Sequence, residues 1–380
     1  MSKLTELLEI HCPNGVEFKR IGEVCHILDA QRKPISKSKR IKGSYPYYGA
    51  NGIQDYVSDY IFDGTFLLVG EDGSVINKDN SPVLNWAVGK IWVNNHAHIL
   101  TAKDSNNLRY IYYALQIQDV SKIVRGVPPK INQENLKCIR IPLPHPKVQD
   151  EIVKILDRFA EYAAELQAEL QAELQARIEQ YEYYRNKLLT FNEIGGGSVI
   201  WMKMSEVYDM KAGKTIISSM IENVKTLKNP YPCYGGNGLR GYVSEYNQQG
   251  DKVLIGRQGA LCGNVCFANN SFYATEHAVV VSEKGYCLPR YTYHLFTKMK
   301  LNQYKTAGAQ PGLSVSRLEK LLIPIPSMEM QLKIVSILDR FDELISDLAQ
   351  GLPAEITAVQ EQYEYYRNKL LSFPEYKLSA

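Results

Sequence analysis

The chain has 380 residues, 45% hydrophobic and 22% charged, with a formal net charge of +3. That length exceeds one ordinary core and predicts two or three domains. No apolar run is long enough for a membrane span, the opening MSKLTELLEI lacks a signal-peptide core and predicts a cytoplasmic location, and seven irregularly spaced cysteines read as free thiols.

In chain order, residues 31–42 (QRKPISKSKRIK) hold six Lys or Arg and no acid. Residues 45–60 read YPYYGANGIQDYVSDY, and the short apolar run 65–69 between Gly and Asp predicts a strand. Residues 107–117 predict a helix. The stretch 120–147 holds six basic residues and one acid, Glu134. The prolines of IPLP (141–144) keep the chain extended, and Pro146 opens a long helix. Its apolar positions include Ile152, Leu156, Phe159, Ala163, Leu166, Leu170, Leu174, Ile178, Tyr181, Tyr184 and Leu188. Their steps of 4 and 3 form a coiled-coil seam, with a stutter at the tetrads AAEL-QAEL-QAEL.

The chain then repeats itself. EQYEYYRNKLL occupies 179–189 and again 361–371. QDEIVKILDRF (149–159) returns as QLKIVSILDRF (331–341), IPLP as IPIP (323–326), and YPYYGANGIQDYVSDY as YPCYGGNGLRGYVSEY (231–246). GTFLLVGEDGS (64–74) matches GDKVLIGRQGA (250–260), and Asn95-His96-Ala97 matches Glu276-His277-Ala278. A strand is predicted over 252–255 and a helix over 289–298. The second seam runs through Ile334, Leu338, Phe341, Ile345, Leu348, Leu352, Ile356, Val359, Tyr363, Tyr366 and Leu370. Gly351-Leu352-Pro353 predicts a break or kink within it. The pattern predicts an α+β protein: two globular mixed α/β domains, 1–145 and 192–327, joined by two long antiparallel coiled-coil helices, 146–191 and 328–373, in a pseudo-two-fold repeat of about 182 residues. Duplex DNA has the same symmetry, so two unlike domains on one such frame suit two unlike half-sites.

The ordered, doubled set of motifs, AELQAELQAEL included, resembles the specificity (S) subunits of type I restriction–modification systems over essentially the whole chain. The resemblance implies two target recognition domains spaced by the helices and a bipartite DNA target. It also implies a monomeric pseudo-dimer with no active site of its own. Its partners would be two modification subunits that methylate adenine with S-adenosylmethionine, and restriction subunits that cleave. The short end SFPEYKLSA departs from the pattern, and the N-terminal segment is expected to complete it.

Other motifs are set aside. Gly236, Gly238 and Gly241 satisfy GxGxxG, but a strand is predicted where a dinucleotide site needs a helix. Asn229-Pro230-Tyr231-Pro232 reads as a turn. Cys233, Cys262, Cys266 and Cys287 lack paired zinc spacing, so no metal is expected. His96 and His277 are expected to be buried and satisfied. The acids Glu71 and Asp72 meet Arg257 and Gln258 in the other copy, which suits base reading rather than catalysis.

Base-reading candidates are therefore Asn51, Glu71, Asp72, Asn237, Arg257 and Gln258. Phosphate candidates are Lys37, Lys39, Arg40, Lys42, Arg125 and Lys130 in the first domain. In the second they are Lys211, Lys214, Arg240 and Lys305. Gly126-Val127-Pro128-Pro129 and Gly308-Ala309-Gln310-Pro311 form matching loops. The repeated face around Gln180, Glu182, Arg185 and Lys187 is expected to be exposed and to seat identical subunits. The competing readings are a coiled-coil scaffold with two protein-binding heads and no DNA, and an enzyme in its own right. The scaffold leaves the basic clusters without a role, and the enzyme lacks a catalytic set in both copies.

Overall fold

The computed structural model describes residues 2–191, 199–259, 261–306 and 312–375. The chain divides into two compact units, Met1–Ala168 with Ala354–Ala380, and Glu169–Pro353. Each long helix is shared between them. None of the described helices is long and apolar enough to cross a membrane.

The first unit runs α1 (Lys3–His11), β1 (Glu17–Arg20), α2 (Ile21–Val24), β2 (Cys25–Ile27), β3 (Lys42–Gly49), β4 (Gly52–Val57), β5 (Phe62–Gly70), β6 (Leu84–Val93), β7 (Ala97–Ala102), α3 (Leu108–Gln116), α4 (Gln133–Cys138), β8 (Arg140–Leu143) and the start of α5 (Pro146–Leu188). Six strands form one sheet in the order β2-β7-β5-β6-β3-β4, and β1 pairs with β8. The apolar run in β5 is buried on both sheet faces. Leu67 and Val69 join α3 residues Tyr110, Ile111 and Leu115 in one core, while Phe66 and Leu68 join Ile91 and Ile99 in another. Asn107 starts α3 by accepting the Arg109 and Tyr110 N–H groups.

The second unit runs β9 (Ile200–Lys203), α6 (Met204–Val207), β10 (Tyr208–Ala212), β11 (Tyr231–Gly235), β12 (Gly238–Val243), β13 (Gln248–Gln249), β14 (Lys252–Gly256), β15 (Val265–Ala268), β16 (Ser271–Ala274), β17 (Ala278–Glu283), α7 (Pro289–Met299), α8 (Val315–Leu318), β18 (Leu322–Ile325) and α9 (Met328–Leu371). Here the sheet is cut into β10-β17-β14-β15 and β12-β11-β16-β13. The cut falls where β6 of the first unit stays whole. There Gly89 (φ 82) pairs with Gly64, so the left-handed bend leaves the ladder intact. The matching residue, Asn270 (φ 58), ends the ladder instead.

The long helices have 43 and 44 residues, about 65 Å each. The start of α5 (Val148, Ile152, Leu156) shares a core with Leu371 at the end of α9. In the second unit, Tyr181 near the end of α5 shares a core with Ile334 and Leu338 at the start of α9. The helices are therefore antiparallel within each unit. Tyr366 stacks on Phe159 with ring centroids 5.5 Å apart, and Tyr184 stacks on Phe341 at 5.4 Å. Along the seam Leu166, Leu170, Leu174, Leu348, Ile356 and Tyr363 are half-buried between exposed neighbours, and Leu188 and Leu370 are half-buried beside the buried Leu189 and Leu371.

Two expectations are corrected. The helix does not break at Gly351-Leu352-Pro353, because α9 continues through Pro353. A proline forfeits one backbone bond, and the half-buried seam residues Leu348, Leu352 and Ile356 carry the helix across. Arg185 is not on an exposed face. It is 5% exposed, lying over the Tyr181 ring at 5.0 Å, where its flat head and apolar stem pack.

The chain start also belongs to the first unit. Leu4, Leu7 and Leu8 of α1 pack on its core, and Val16 N–H donates to the Pro374 carbonyl at 3.0 Å.

Candidate functional site

The base-reading candidates collect at one sheet edge in each unit. Gly70, the last residue of β5, pairs with Ala97, and Gly256 of β14 pairs with Ala278. One residue on, the Glu71 N–H donates to the His96 carbonyl at 2.8 Å, and the Arg257 N–H to the His277 carbonyl at 2.8 Å. The β3–β4 and β11–β12 turns, carrying Asn51 and Asn237, lie against these glycines. A Cβ on Gly256 would come 2.1 Å from the Gly236 carbonyl, and one on Gly70 3.3 Å from that of Ala50. Glycine is required at 256 for that approach. The structure thus brings together Asn51, Glu71 and Asp72, and separately Asn237, Arg257 and Gln258.

Arg125 and Lys130 join the first group. They close a hairpin over Gly126-Val127-Pro128-Pro129 by reciprocal backbone bonds of 3.0 and 2.7 Å, and Gly73 N–H donates to the Pro129 carbonyl at 2.9 Å. The counterpart loop, 308–311, lies outside the described residues. Its neighbour Gly312 bridges to Gln258.

Within the first group the two acids face different ways. Glu71 turns inward to Arg32, to Lys130 at 3.1 Å and toward His98 at 3.7 Å. Burial pushes its pKa up, but Arg32, His98 and Lys130 outweigh that and hold it below the usual carboxylate value. His98 also bonds Asp29 at 2.6 Å and the Ile131 carbonyl at 2.8 Å. Asp29, Glu71 and His98 are near enough to one another for a metal site, yet Arg32 and Lys130 already neutralise these carboxylates. Val279 occupies the His98 position in the second unit, as the register shows. Sequence reasoning missed His98. Its only signal was a polar residue inside a buried strand.

His96 and His277 overturn a further expectation: their side chains are 46% and 40% exposed. Each sits in the turn before a strand, where the backbone curls outward. His96 Nδ1 bonds Asp72, and His277 Nδ1 bonds Gln258 Oε1 at 2.9 Å.

The phosphate candidates are scattered. Lys37, Lys39 and Lys42 are exposed, with Lys42 at the opposite end of β3 from the Asn51 turn. Arg40 turns inward, 4.2 Å above the Tyr47 ring and 3.3 Å from Asp55. Lys211, Lys214, Arg240 and Lys305 are exposed. Arg240 lies over Gly235, beside the Asn237 turn. Gly236, Gly238 and Gly241 lead into β12, not a helix.

The repeated helix motif fastens each domain to its long helix. Gln149 and Gln331 are fully buried. Gln149 accepts the Asn107 N–H at 2.9 Å and donates to the Pro144 carbonyl at 2.8 Å. Gln331 accepts the Leu288 N–H at 2.9 Å and donates to the Pro326 carbonyl at 3.0 Å. Asp157 takes Arg109 at 2.9 Å and the Tyr113 hydroxyl, while Asp339 takes Arg290 at 2.7 Å and His294 at 2.7 Å.

The family model for the type I restriction modification DNA specificity domain matches residues 13–176 and again 200–358. The chain belongs to the type I restriction–modification specificity family. It is a non-catalytic specificity subunit. It is 37% identical to a Haemophilus influenzae protein described as a type I restriction enzyme specificity subunit, over 97% of this chain and 98% of that one. It is 30% identical to the Escherichia coli EcoR124I/EcoR124II specificity subunit, over 98% of each chain. Among solved structures, a chain from a study of type I system assembly and conformational transition shares the fold at TM-score 0.68 and 14% identity, over 94% of this chain and 98% of that one.

Proposed function

We propose that this specificity subunit reads a bipartite DNA sequence, one half-site per domain, and directs adenine-methylating and cleaving partner subunits to it. The observation that carries this reading is the pair of matching backbone frames with unlike side chains. Glu71 and Asp72 stand where Arg257 and Gln258 stand, on the same 2.8 Å backbone bond. Asp72 can accept from a cytosine or adenine amine, while Glu71, expected from the sequence to read a base, is instead held inward by Arg32 and Lys130; Arg257 and Gln258 can donate to purine acceptors, so one scaffold can select two different sequences. Exposed lysines on each unit supply phosphate attraction.

The repeated helix segment supports two identical modification subunits. Tyr183 and Tyr365 are 60% and 61% exposed, and each lies beside a lysine, Lys187 and Lys369. The chain works in the cytoplasm as a monomeric pseudo-dimer with no cofactor of its own, and S-adenosylmethionine belongs to the modification subunits. The helices set the gap. Each QAEL tetrad is about 6 Å of helix, against about 3.4 Å per base pair, so deleting one tetrad shortens the gap by one or two base pairs.

The test is single-molecule sequencing of adenine methylation in cells with and without this subunit, beside its methyltransferase. A split motif of two unlike parts, lost with the subunit, is the expected result. Unchanged methylation refutes the reading.

A further inference from the structure

The two exposed histidines, like Asn51 and Asn237, stay constant at an edge where Glu71-Asp72 and Arg257-Gln258 differ, and they are locked at three points. The N–H of His96 donates to the Asn94 side chain at 2.8 Å, and that of His277 to the Thr275 hydroxyl at 3.4 Å. The carbonyl of each accepts the N–H of Glu71 or Arg257 at 2.8 Å. Nδ1 of each reaches the next side chain, Asp72 or Gln258. Between the units the partner changes from carboxylate to amide, while the histidine and its backbone bonds stay.

We propose that His96 and His277 are positioning residues that fix which hydrogen-bonding group each domain turns toward a base. This rests on the DNA-reading function above. A ring N–H donated from Nδ1 occupies one oxygen of Asp72 and leaves the other as an acceptor. Nε2 of His277 lies 3.3 Å from Glu276 Oε1, while its Nδ1 engages one end of the Gln258 amide and leaves the other end outward. Asp72 is thereby set for a base bearing a major-groove amine, adenine or cytosine. Gln258 is held with a single end of its amide outward, so it is set for one class of base edge, acceptor or amine. Without the histidine the Gln258 amide can flip, present either end and accept either class of base.

The experiment uses the subunit assembled with its modification subunits and DNA duplexes carrying each base at every half-site position. The variants are His277→Ala, His277→Asn and His96→Ala. His277→Ala is expected to lose at least tenfold discrimination at one position of one half-site, leaving the other half-site unchanged. His277→Asn, whose amide can still donate to Gln258, restores most of it. His96→Ala is expected to weaken binding at one position of the opposite half-site while keeping the preferred class of base, because either oxygen of Asp72 accepts. Discrimination retained by His277→Ala, or binding weakened equally for all bases in that variant, overturns the positioning role. A wild-type assembly that selects no split sequence overturns the DNA-reading function itself, a result distinct from either.

Discussion

Leu156 is fully buried at the start of α5, in a core that also holds Leu371 at the far end of α9. Truncating it to alanine should loosen two segments distant in sequence. A buried leucine truncated to alanine costs about 2–5 kcal/mol, through lost transfer energy and the cavity left behind. At 1.4 kcal/mol per factor of ten, amides that exchange by opening of the unit should speed up roughly 30-fold to a few thousand-fold. The assay is hydrogen exchange with mass spectrometry on the intact chain. In Leu156→Ala, residues 146–168 and 354–371 should lose protection together, while 169–188 and 328–353 of the same two helices keep theirs. Leu338→Ala, also fully buried, should give the mirror result. Loss of protection along the whole of α5, or confined to 146–168, refutes the division of each helix between two cores.

Three further outcomes follow from the geometry. Burial raises the pKa of Glu283 to about 7, and its Oε1 has no hydrogen-bond partner. Its folded pKa lies above the usual 4.5, so its stabilising contribution is full below pH 4.5 and lost as pH rises through about 7. That swing is on the order of 3 kcal/mol, and Glu283→Gln should flatten it in pH-dependent denaturation of the second unit. Glu71 has the opposite sign. Its depressed pKa contributes stability above 4.5 that is lost as pH falls through the folded value, so the first unit should weaken in acid, and less steeply in Glu71→Gln. Gly351 lies inside α9 with no atom within 4 Å of a built Cβ, so Gly351→Ala should raise stability by roughly 0.5–1 kcal/mol. A lower melting temperature would show that the helix needs glycine there.

The repeat, the helix seams and the strands at 65–69 and 252–255 were legible because each is a periodic pattern that backbone geometry enforces locally. The proline at 353 misled because a local cost was weighed without the seam packing on both sides, which only the folded partner supplies. His96 and His277 misled for the same reason in reverse. Their apolar neighbours suggested burial, but the turn before β7 and β17 points them outward. The inward role of Glu71 depends on His98, Arg32 and Lys130, spread along the chain, and no short window holds that network. At the reading edge, the contrast between Glu71-Asp72 and Arg257-Gln258 was visible in the sequence, but the histidine beside each was not visible as its partner.

The fastening residues and the residues proposed to read DNA form one mechanical path in each unit without overlapping. Gln149 and Asp157 hold α3 on α5, α3 shares its core with β5 and β7, and Asp72 lies just past the end of β5 while His96 immediately precedes β7. In the second unit Gln331 and Asp339 hold α7 on α9, and the path leads through β14 and β17 to Gln258 and His277. One member of the clamp has changed, Tyr113 to His294, and the aspartate accepts from either. None of the clamp bonds involves residues 71–72 or 257–258. Under the proposed function, a new preference can therefore arise by substitution just past the end of β5 or β14 while the frame keeps its place on the helix. A substitution at Asp157 or Asp339 leaves the chemistry of the reading edge intact and disturbs where that edge is held.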